Sequence, residues 1–407
     1  MNKIFVIGPS KYIGRHFKSV ENSLGANFIY FDNYQPNRII EEKPDLVIVP
    51  DEHWCELGNI VATCKAHGIL TLQLMDGILE WRRTWDYGAN GHRVNGILNP
   101  LNQPAFAHKI ACLGYKDFRI LESWGNRGKC EIVGMPRLKN IQGLQTDYSH
   151  LDKKKGKILI CTAKTPAFTK KQKRITIDSL RDLRDFFKEK NDIEVVWRLS
   201  GDLSEVLNIK NTLTDLNGLE IHKIIQEVDS VITTPSTTLL ESMVLKVPVA
   251  LLDYHNLPHY FDSAWCISSK SHIPIVFEEL MNPPVVKLDY QEFLLNDQLF
   301  NHDDATKRLL DLIENMLKYK NNTENLPAAI LDNNYTPTYQ ISSGIGTYYP
   351  DLSGLEKLKR RELELKLSAA EGTIRVLENK LSNLERRLNS IPFYTFLKKL
   401  KHSIPFL

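Results

Sequence analysis

The stretch Val228-Asp229-Ser230-Val231-Ile232-Thr233-Thr234-Pro235-Ser236-Thr237-Thr238-Leu239-Leu240-Glu241-Ser242-Met243-Val244-Leu245-Lys246-Val247-Pro248-Val249 reads as strand, hydroxyl-rich turn, helix and strand. Two strands joined through a helix pair in parallel, and a parallel sheet needs cover on both faces. The same alternation runs through most of the chain. Ile4–Ile7, Phe28–Phe31, Asp45–Pro50 and Leu70–Leu74 read as strands, with helical spacing over Leu57–His67 and short strands near Ile110–Leu113 and Cys130–Val133. After the polar stretch 141–156 a second series begins, with strands at Lys157–Cys161, Glu194–Arg198, Val231–Thr233 and Val247–Leu252. Lys173–Lys188 and the amphipathic Asp303–Tyr319 read as helices. The pattern predicts an α/β protein of two Rossmann-like domains, at 1–140 and 157–320, joined by a 141–156 linker.

Residues 321–354 are rich in Asn, Thr, Pro, Ser, Gly and Tyr and read as an extended connector. Heptads follow over 355–390. Leu367, Ile374, Leu381 and Leu388 take one apolar position and Leu363, Ala370, Leu377 and Leu384 the other. Glu364, Glu371, Glu378 and Glu385 then fill every e position, opposite Lys366, Thr373, Lys380 and Arg387 at g. Opposite charges at e and g fit a parallel coiled coil, so self-association through 360–390 is expected; the rival is a helix folded back on its own body. The tail 391–407 mixes aromatic residues with Lys398, Lys399 and Lys401. It fits either an interfacial helix on an anionic membrane or the start of a further domain.

The net charge of +3 carries no general nucleic-acid signal. Residues 355–407 hold 12 Lys/Arg against 6 Asp/Glu, so the basic excess sits in the C-terminal tail. The six cysteines form no Cys-x-x-Cys pair, which fits reduced thiols rather than a zinc site. No run approaches the ~18 apolar residues of a membrane span. The expected location is the cytoplasm, with at most peripheral contact at the inner face of the cytoplasmic membrane.

The turn at 234–238 admits two roles. Ser236, Thr237 and Thr238 stand where a helix begins, and its free N–H groups and hydroxyls suit a phosphate. Alternatively, Ser236 or Thr237 only caps the helix. Glu241 lies about one helical turn further on, within reach of a sugar attached to that phosphate.

Two such domains, with the phosphate turn in the second, resemble the GT-B glycosyltransferases over roughly residues 1–320. Leu239-Leu240-Glu241-Ser242-Met243 through Pro248-Val249 is similar to the family segment L-x-E-[AS]-M-x-x-x-x-P-V. The resemblance implies that Glu241 holds the donor ribose. Thr233 stands where retaining members carry the first Glu of Glu-x7-Glu, a departure that points to inversion. Asp76-Gly77-Ile78-Leu79-Glu80-Trp81 is similar to the Asp-Gly-x-x-Glu-Tyr segment of bacterial sialyltransferases and, more loosely, to capsular Kdo transferases. That likeness implies Asp76 as catalytic base, with a pKa raised by shielding toward a working value. An Asp-Gly pair is also an ordinary turn. Gly134-Met135-Pro136-Arg137 looks like the Gly-x-Pro-[KR] turn that closes the first domain of such enzymes.

The sialyltransferase His-Pro is replaced by Arg198-Leu199, so Arg198 either neutralises a leaving phosphate or merely ends a strand. Lys164 and Thr165 are placed to meet donor phosphate, and their loop lacks the Asp nucleophile of retaining Kdo transferases. Glu80, Arg82, Arg83 and His92 are candidate substrate-binding residues, Arg82, Arg83 and His92 for an acidic donor or acceptor; some of these three are expected to be simply solvated. No Asp-x-Asp metal motif stands at a strand end, and no metal or cofactor is expected beyond a nucleotide-sugar donor as substrate. The expected activity is transfer from that donor, CMP-linked Kdo or a sialic-type acid, to a cell-surface polysaccharide or lipopolysaccharide acceptor. Rivals are a retaining Kdo transferase, a CDP-glycerol glycerophosphotransferase, a nucleotide-sugar 2-epimerase, and a non-catalytic coiled-coil scaffold at the membrane.

Overall fold

The computed structural model describes residues 1–21, 23–32, 36–52, 55–80, 82, 93–94, 97–98, 102–138, 141, 156–210, 212–213, 221–255, 259–300 and 304–333, and, near the C-terminus, 367, 371, 374, 377–387 and 389. The chain divides into two compact units, Met1–Val94 with Leu98–Gly354, and Asn95–Ile97 with Leu355–Leu407. Both large sheets lie in the first.

The first sheet contains β1 (Lys3–Ile7), β2 (Asn27–Phe31), β3 (Leu46–Val49), β4 (Leu70–Leu74), β7 (Lys109–Cys112) and β8 (Cys130–Ile132). Two dipeptide strands, β5 (Arg93–Val94) and β6 (Ile97–Leu98), lie outside it. Its order is β2-β1-β3-β4-β7-β8, parallel throughout. The central strands β3, β4 and β7 are buried along their whole length, as a sheet covered on both faces demands. The helices of this half are α1 (Ser10–Ile13), α2 (Lys18–Glu21), α3 (Pro36–Glu41), α4 (Cys55–Ala66) and α5 (Tyr115–Leu121).

The second sheet contains β9 (Gly156–Cys161), β10 (Ile193–Arg198), β11 (Ser230–Thr233), β12 (Val249–Leu252) and β13 (Trp265–Ile267). It is also parallel, in the order β10-β9-β11-β12-β13. Its helices are α6 (Lys170–Phe187), α7 (Leu203–Val206), α8 (Ile221–Gln226), α9 (Thr238–Val244), α10 (His272–Met281) and α11 (Val285–Gln298). A capping box starts α6: Thr169 Oγ1 accepts from Gln172 N, and Gln172 Oε1 accepts from Thr169 N.

The chain then returns to the first sheet. Phe300 N donates to Leu113 O at 2.7 Å, and α12 (Ala305–Leu317) buries Leu309, Leu312, Ile313 and Met316 against Ile4, Val6 and Leu46. Burial of each such side chain is worth roughly 1.5–3 kcal/mol over exposure, ample to hold the crossing. Two glycines make room for it. A Cβ on Gly114 would sit 2.6 Å from the Gln298 backbone, and one on Gly134 would sit 2.7 Å from Phe300 O. Gly134 also has φ +90°, a value that costs little only for glycine. The Gly134-Met135-Pro136-Arg137 turn is therefore fixed by the crossing segment.

Among the described cysteines none is disulfide-bonded, and Cys64, Cys112, Cys130 and Cys161 are buried. In the second unit the described residues 377–387 are all helical. Leu367, Ile374, Leu377, Leu381 and Leu384 are 53–61% exposed there, an apolar seam that no described residue covers.

Candidate functional site

In open parallel sheets, ligands bind beyond the carboxyl ends of the strands. At that edge of the first sheet, β1 leads into α1 and a 3₁₀ turn at Gly14–His16, β4 leads into Asp76-Gly77, and β8 leads into a 3₁₀ turn at Pro136–Leu138. These three segments converge on the Asp76 carboxylate. His16 Nε2 lies 2.6 Å from Asp76 Oδ1, Arg15 Nη2 lies 3.2 Å from it and Arg137 Nε 3.8 Å. Asp76 Oδ2 has no partner among the described residues, and the side chain is 35% exposed.

The second half meets this cluster through two contacts. Arg137 Nη1 donates to Glu241 Oε1 at 2.5 Å, so one guanidinium lies against both Asp76 and Glu241. A Cβ on Gly77 would sit 3.3 Å from Thr237 Oγ1. At Gly77 a larger residue would crowd the hydroxyl turn by a few tenths of an ångström, whereas no left-handed φ is involved.

The expectation of a raised Asp76 pKa is corrected. Burial alone would lift it, but the His16 hydrogen bond and charge, with Arg15 and Arg137, outweigh burial and hold the carboxyl at about 2. His16 is buried, which lowers its pKa below 6.5 despite Asp76, and its Nδ1 has no hydrogen-bond partner. At neutral pH the site therefore holds an ionised carboxylate bonded to a neutral imidazole.

The hydroxyl turn is built with internal bonds. Ser236 Oγ accepts from Thr238 N at 3.0 Å, and Thr234 Oγ1 accepts from Ala163 N at 2.9 Å. Ser236 Oγ thus takes up the N–H of the first residue of a helix only seven residues long. Ser236 and Thr238 are buried, Thr237 is half-buried, and Glu241 is buried on its Arg137 pair.

Glu80 and Arg82 pair with each other. Arg82 is buried, and its Nη1 donates to Pro166 O at 2.7 Å, while Gln172 Nε2 donates to Arg82 O at 3.2 Å. These bonds tie the Asp-Gly-x-x-Glu segment to the loop after β9, where Lys164 and Thr165 are exposed. Arg198 ends β10, with β9 between it and β11. The structure thus brings Asp76, Thr237 and Glu241 together and leaves Lys164, Thr165 and Arg198 around the loop after β9. Arg83 and His92 lie outside the described residues.

Sequence reasoning missed Arg15 and His16 and gave Arg137 no role. A signal existed: Arg15-His16 follows the first strand at the ligand-binding edge, and Arg137 ends a turn set by Gly134. Among the described residues no group of three or more His, Cys, Asp or Glu side chains is arranged to hold a metal ion. A cavity of about 680 Å³ lined by Met243, Leu288 and Gln291 also touches Asp229 and Pro248, which precede their strands. It therefore opens at the opposite edge of the second sheet.

No protein-family model matches the chain, and no curated protein does. Solved structures do. The S. aureus MnaA–UDP structure matches with a TM-score of 0.55 at 13% identity, over 78% of this chain and 97% of that one. This chain has the GT-B fold. UDP-GlcNAc 2-epimerase from Methanocaldococcus jannaschii, in complex with UDP-GlcNAc and UDP, matches with a TM-score of 0.52 at 11% identity, over 77% and 99%. The wall teichoic acid polymerase TagF, soaked with CDPG, matches with a TM-score of 0.50 at 15% identity, over 79% and 90%. No helix among the described residues is long and apolar enough to cross a membrane.

Proposed function

We propose that this GT-B protein is a nucleotide-sugar-dependent glycosyltransferase whose base is the Asp76–His16 pair. The observation that carries the proposal is the Arg137 bridge, which sets Asp76 of the first half facing Glu241 of the second. Glu241 holds the donor ribose. The acceptor hydroxyl approaches the exposed side of Asp76, and its oxygen attacks the anomeric carbon as the bond to the leaving phosphate breaks. The phosphate keeps the electron pair. The hydroxyl proton enters at Asp76 Oδ2, while His16 Nε2–H, donating to Oδ1 across the 2.6 Å bond, holds the carboxylate in place. Attack opposite to the leaving group inverts the anomeric centre, in keeping with Thr233 at the retaining-Glu position. The cationic surroundings of Asp76 suit an anionic donor.

The Asp-Gly-x-x-Glu-Trp segment supports a CMP-linked acidic sugar as donor and a cell-surface polysaccharide or lipopolysaccharide as acceptor. A second reading is transfer of phosphoglycerol from CDP-glycerol, favoured by the likeness to TagF. Stabilisation by CMP, UDP, GDP and CDP separates both from a UDP-using epimerase, and because both transfers release CMP, turnover of a CMP-sugar against CDP-glycerol separates them from each other. A ligand at a hundred times its Kd adds about 2.7 kcal/mol of stability. One nucleotide should stand out, and Glu241→Gln should cancel its advantage. Equal shifts from all four, or an advantage that survives Glu241→Gln, would remove the site.

The exposed seam of the second unit supports self-association as a parallel coiled coil, and the basic aromatic tail supports peripheral membrane contact. Deleting residues 355–407 should reduce the sedimentation mass to that of a monomer. An unchanged mass would refute the coiled coil.

A further inference from the structure

The Arg137 guanidinium occupies a particular stretch of the site. One end is bonded to Glu241 and the other lies 3.8 Å from Asp76. If Glu241 holds the ribose and Asp76 faces the reacting sugar, the phosphate linking ribose to sugar must cross that stretch. The side chain is about nine-tenths buried, and its Nε–H has no hydrogen-bond acceptor among the described residues. A buried, unsatisfied donor carries a desolvation cost that an incoming oxygen removes. Arg137 engages Glu241 through Oε1, so a ribose hydroxyl that takes that oxygen displaces the guanidinium.

We infer that Arg137 is the phosphate-binding residue of this site, exchanging Glu241 for the donor phosphate when a nucleotide enters. The inference rests on the reading of Glu241 as the ribose holder. Ribose hydroxyls take over the Glu241 carboxylate, and the released guanidinium forks onto two phosphate oxygens, a planar match that lysine lacks. Arg15, half-exposed on the other side of Asp76, adds positive charge without a buried orphan donor. As the glycosidic C–O bond breaks, the leaving phosphate gains charge, and the same fork stabilises it. The Gly134 turn explains how the residue is held: the crossing segment at Phe300 fixes the backbone from which Arg137 reaches the second half.

The test compares each nucleoside with its monophosphate, cytidine with CMP, uridine with UMP and guanosine with GMP, by calorimetry on the full chain. In the wild type one base should stand out, and its phosphate should tighten binding. Arg137→Gln should erase that phosphate increment, roughly ten- to a hundredfold, while nucleoside binding stays or strengthens because Glu241 is released. Arg137→Lys, which keeps the charge and guards against a misfolded Gln variant, should retain only part of the increment. A full increment in either variant overturns the inference and leaves the nucleotide site standing. If no nucleoside or nucleotide binds the wild type, the glycosyltransferase reading itself falls and the inference with it.

Discussion

Two clusters of charge in this molecule use the same kinds of group to opposite ends. At the far edge of the first sheet, Lys109 on β7 pairs with Glu131 on β8, both fully buried. Lys109 Nζ donates to Glu131 at 2.7 Å, to Ala328 O at 2.9 Å and to Gly128 O at 3.1 Å, which uses its three donors. Glu131 also accepts from Ile330 N, Leu331 N and Asn333 Nδ2. Every atom that wants a partner has one, and the cluster straps residues 328–333 onto the sheet. The Asp76 cluster is left incomplete. Among the described residues His16 Nδ1 and Arg137 Nε have no hydrogen-bond partner and Asp76 Oδ2 is open. A closed cluster holds the fold, whereas an incomplete one has capacity for a ligand.

The largest expected effect breaks the closed cluster. Glu131→Ala leaves the Lys109 ammonium buried without its counter-ion and should cost about 3–5 kcal/mol in denaturant unfolding. Nucleotide affinity, measured where the variant remains folded, should be unchanged. An equally large loss of affinity would mean that the two clusters are one coupled unit.

The next effect concerns the open cluster. His16→Gln keeps a donor to Asp76 but removes the imidazole that positions and polarises the carboxylate, and should slow transfer about ten- to a hundredfold. The pH profile sharpens this. A base must be deprotonated, so activity should hold above pH 6.5 and fall as pH drops through the depressed pKa of the pair. With His16→Gln the acid limb should move to the titration of Asp76 alone, which shifts up as the His16 charge that depressed it is lost. A limb that stays in place would assign it to another group.

The smallest effect is on folding. Asp76 is one-third exposed, so Asp76→Asn should change the unfolding free energy by no more than about 1 kcal/mol. That contrast with Glu131 is what a ligand-binding cluster should show.

The elements were legible where period and β-branched runs were strong. Leu70–Leu74 was read to the residue, and the helix expected at Asp303–Tyr319 is Ala305–Leu317. β13 has three residues, too few for a period to show, and α11 alternates charged and apolar residues without a clean stripe. Which layer a helix joins is not local information: α12 follows the second series in sequence yet packs under the first sheet. The site was half legible for the same reason. Asp76 and Glu241 stand in segments with their own pattern. Arg15, His16 and Arg137 gain meaning only when β1, β4 and β8 are gathered into one sheet, which no spacing along the chain reveals. The Asp76 pKa was misjudged because shielding was read from one strand end and the cations come from two others.

The central claim is that the Asp76 cluster performs group transfer from a nucleotide-linked donor. The direct measurement is turnover of CMP-, UDP- and GDP-sugars and CDP-glycerol by the full chain, as hydrolysis or transfer, for the wild type and Asp76→Asn. One donor should be consumed, and Asp76→Asn should slow its turnover by about 10²–10⁴-fold with the protein still folded. Turnover unaffected by Asp76→Asn, or no turnover of any donor by a wild type that binds nucleotide, would contradict it.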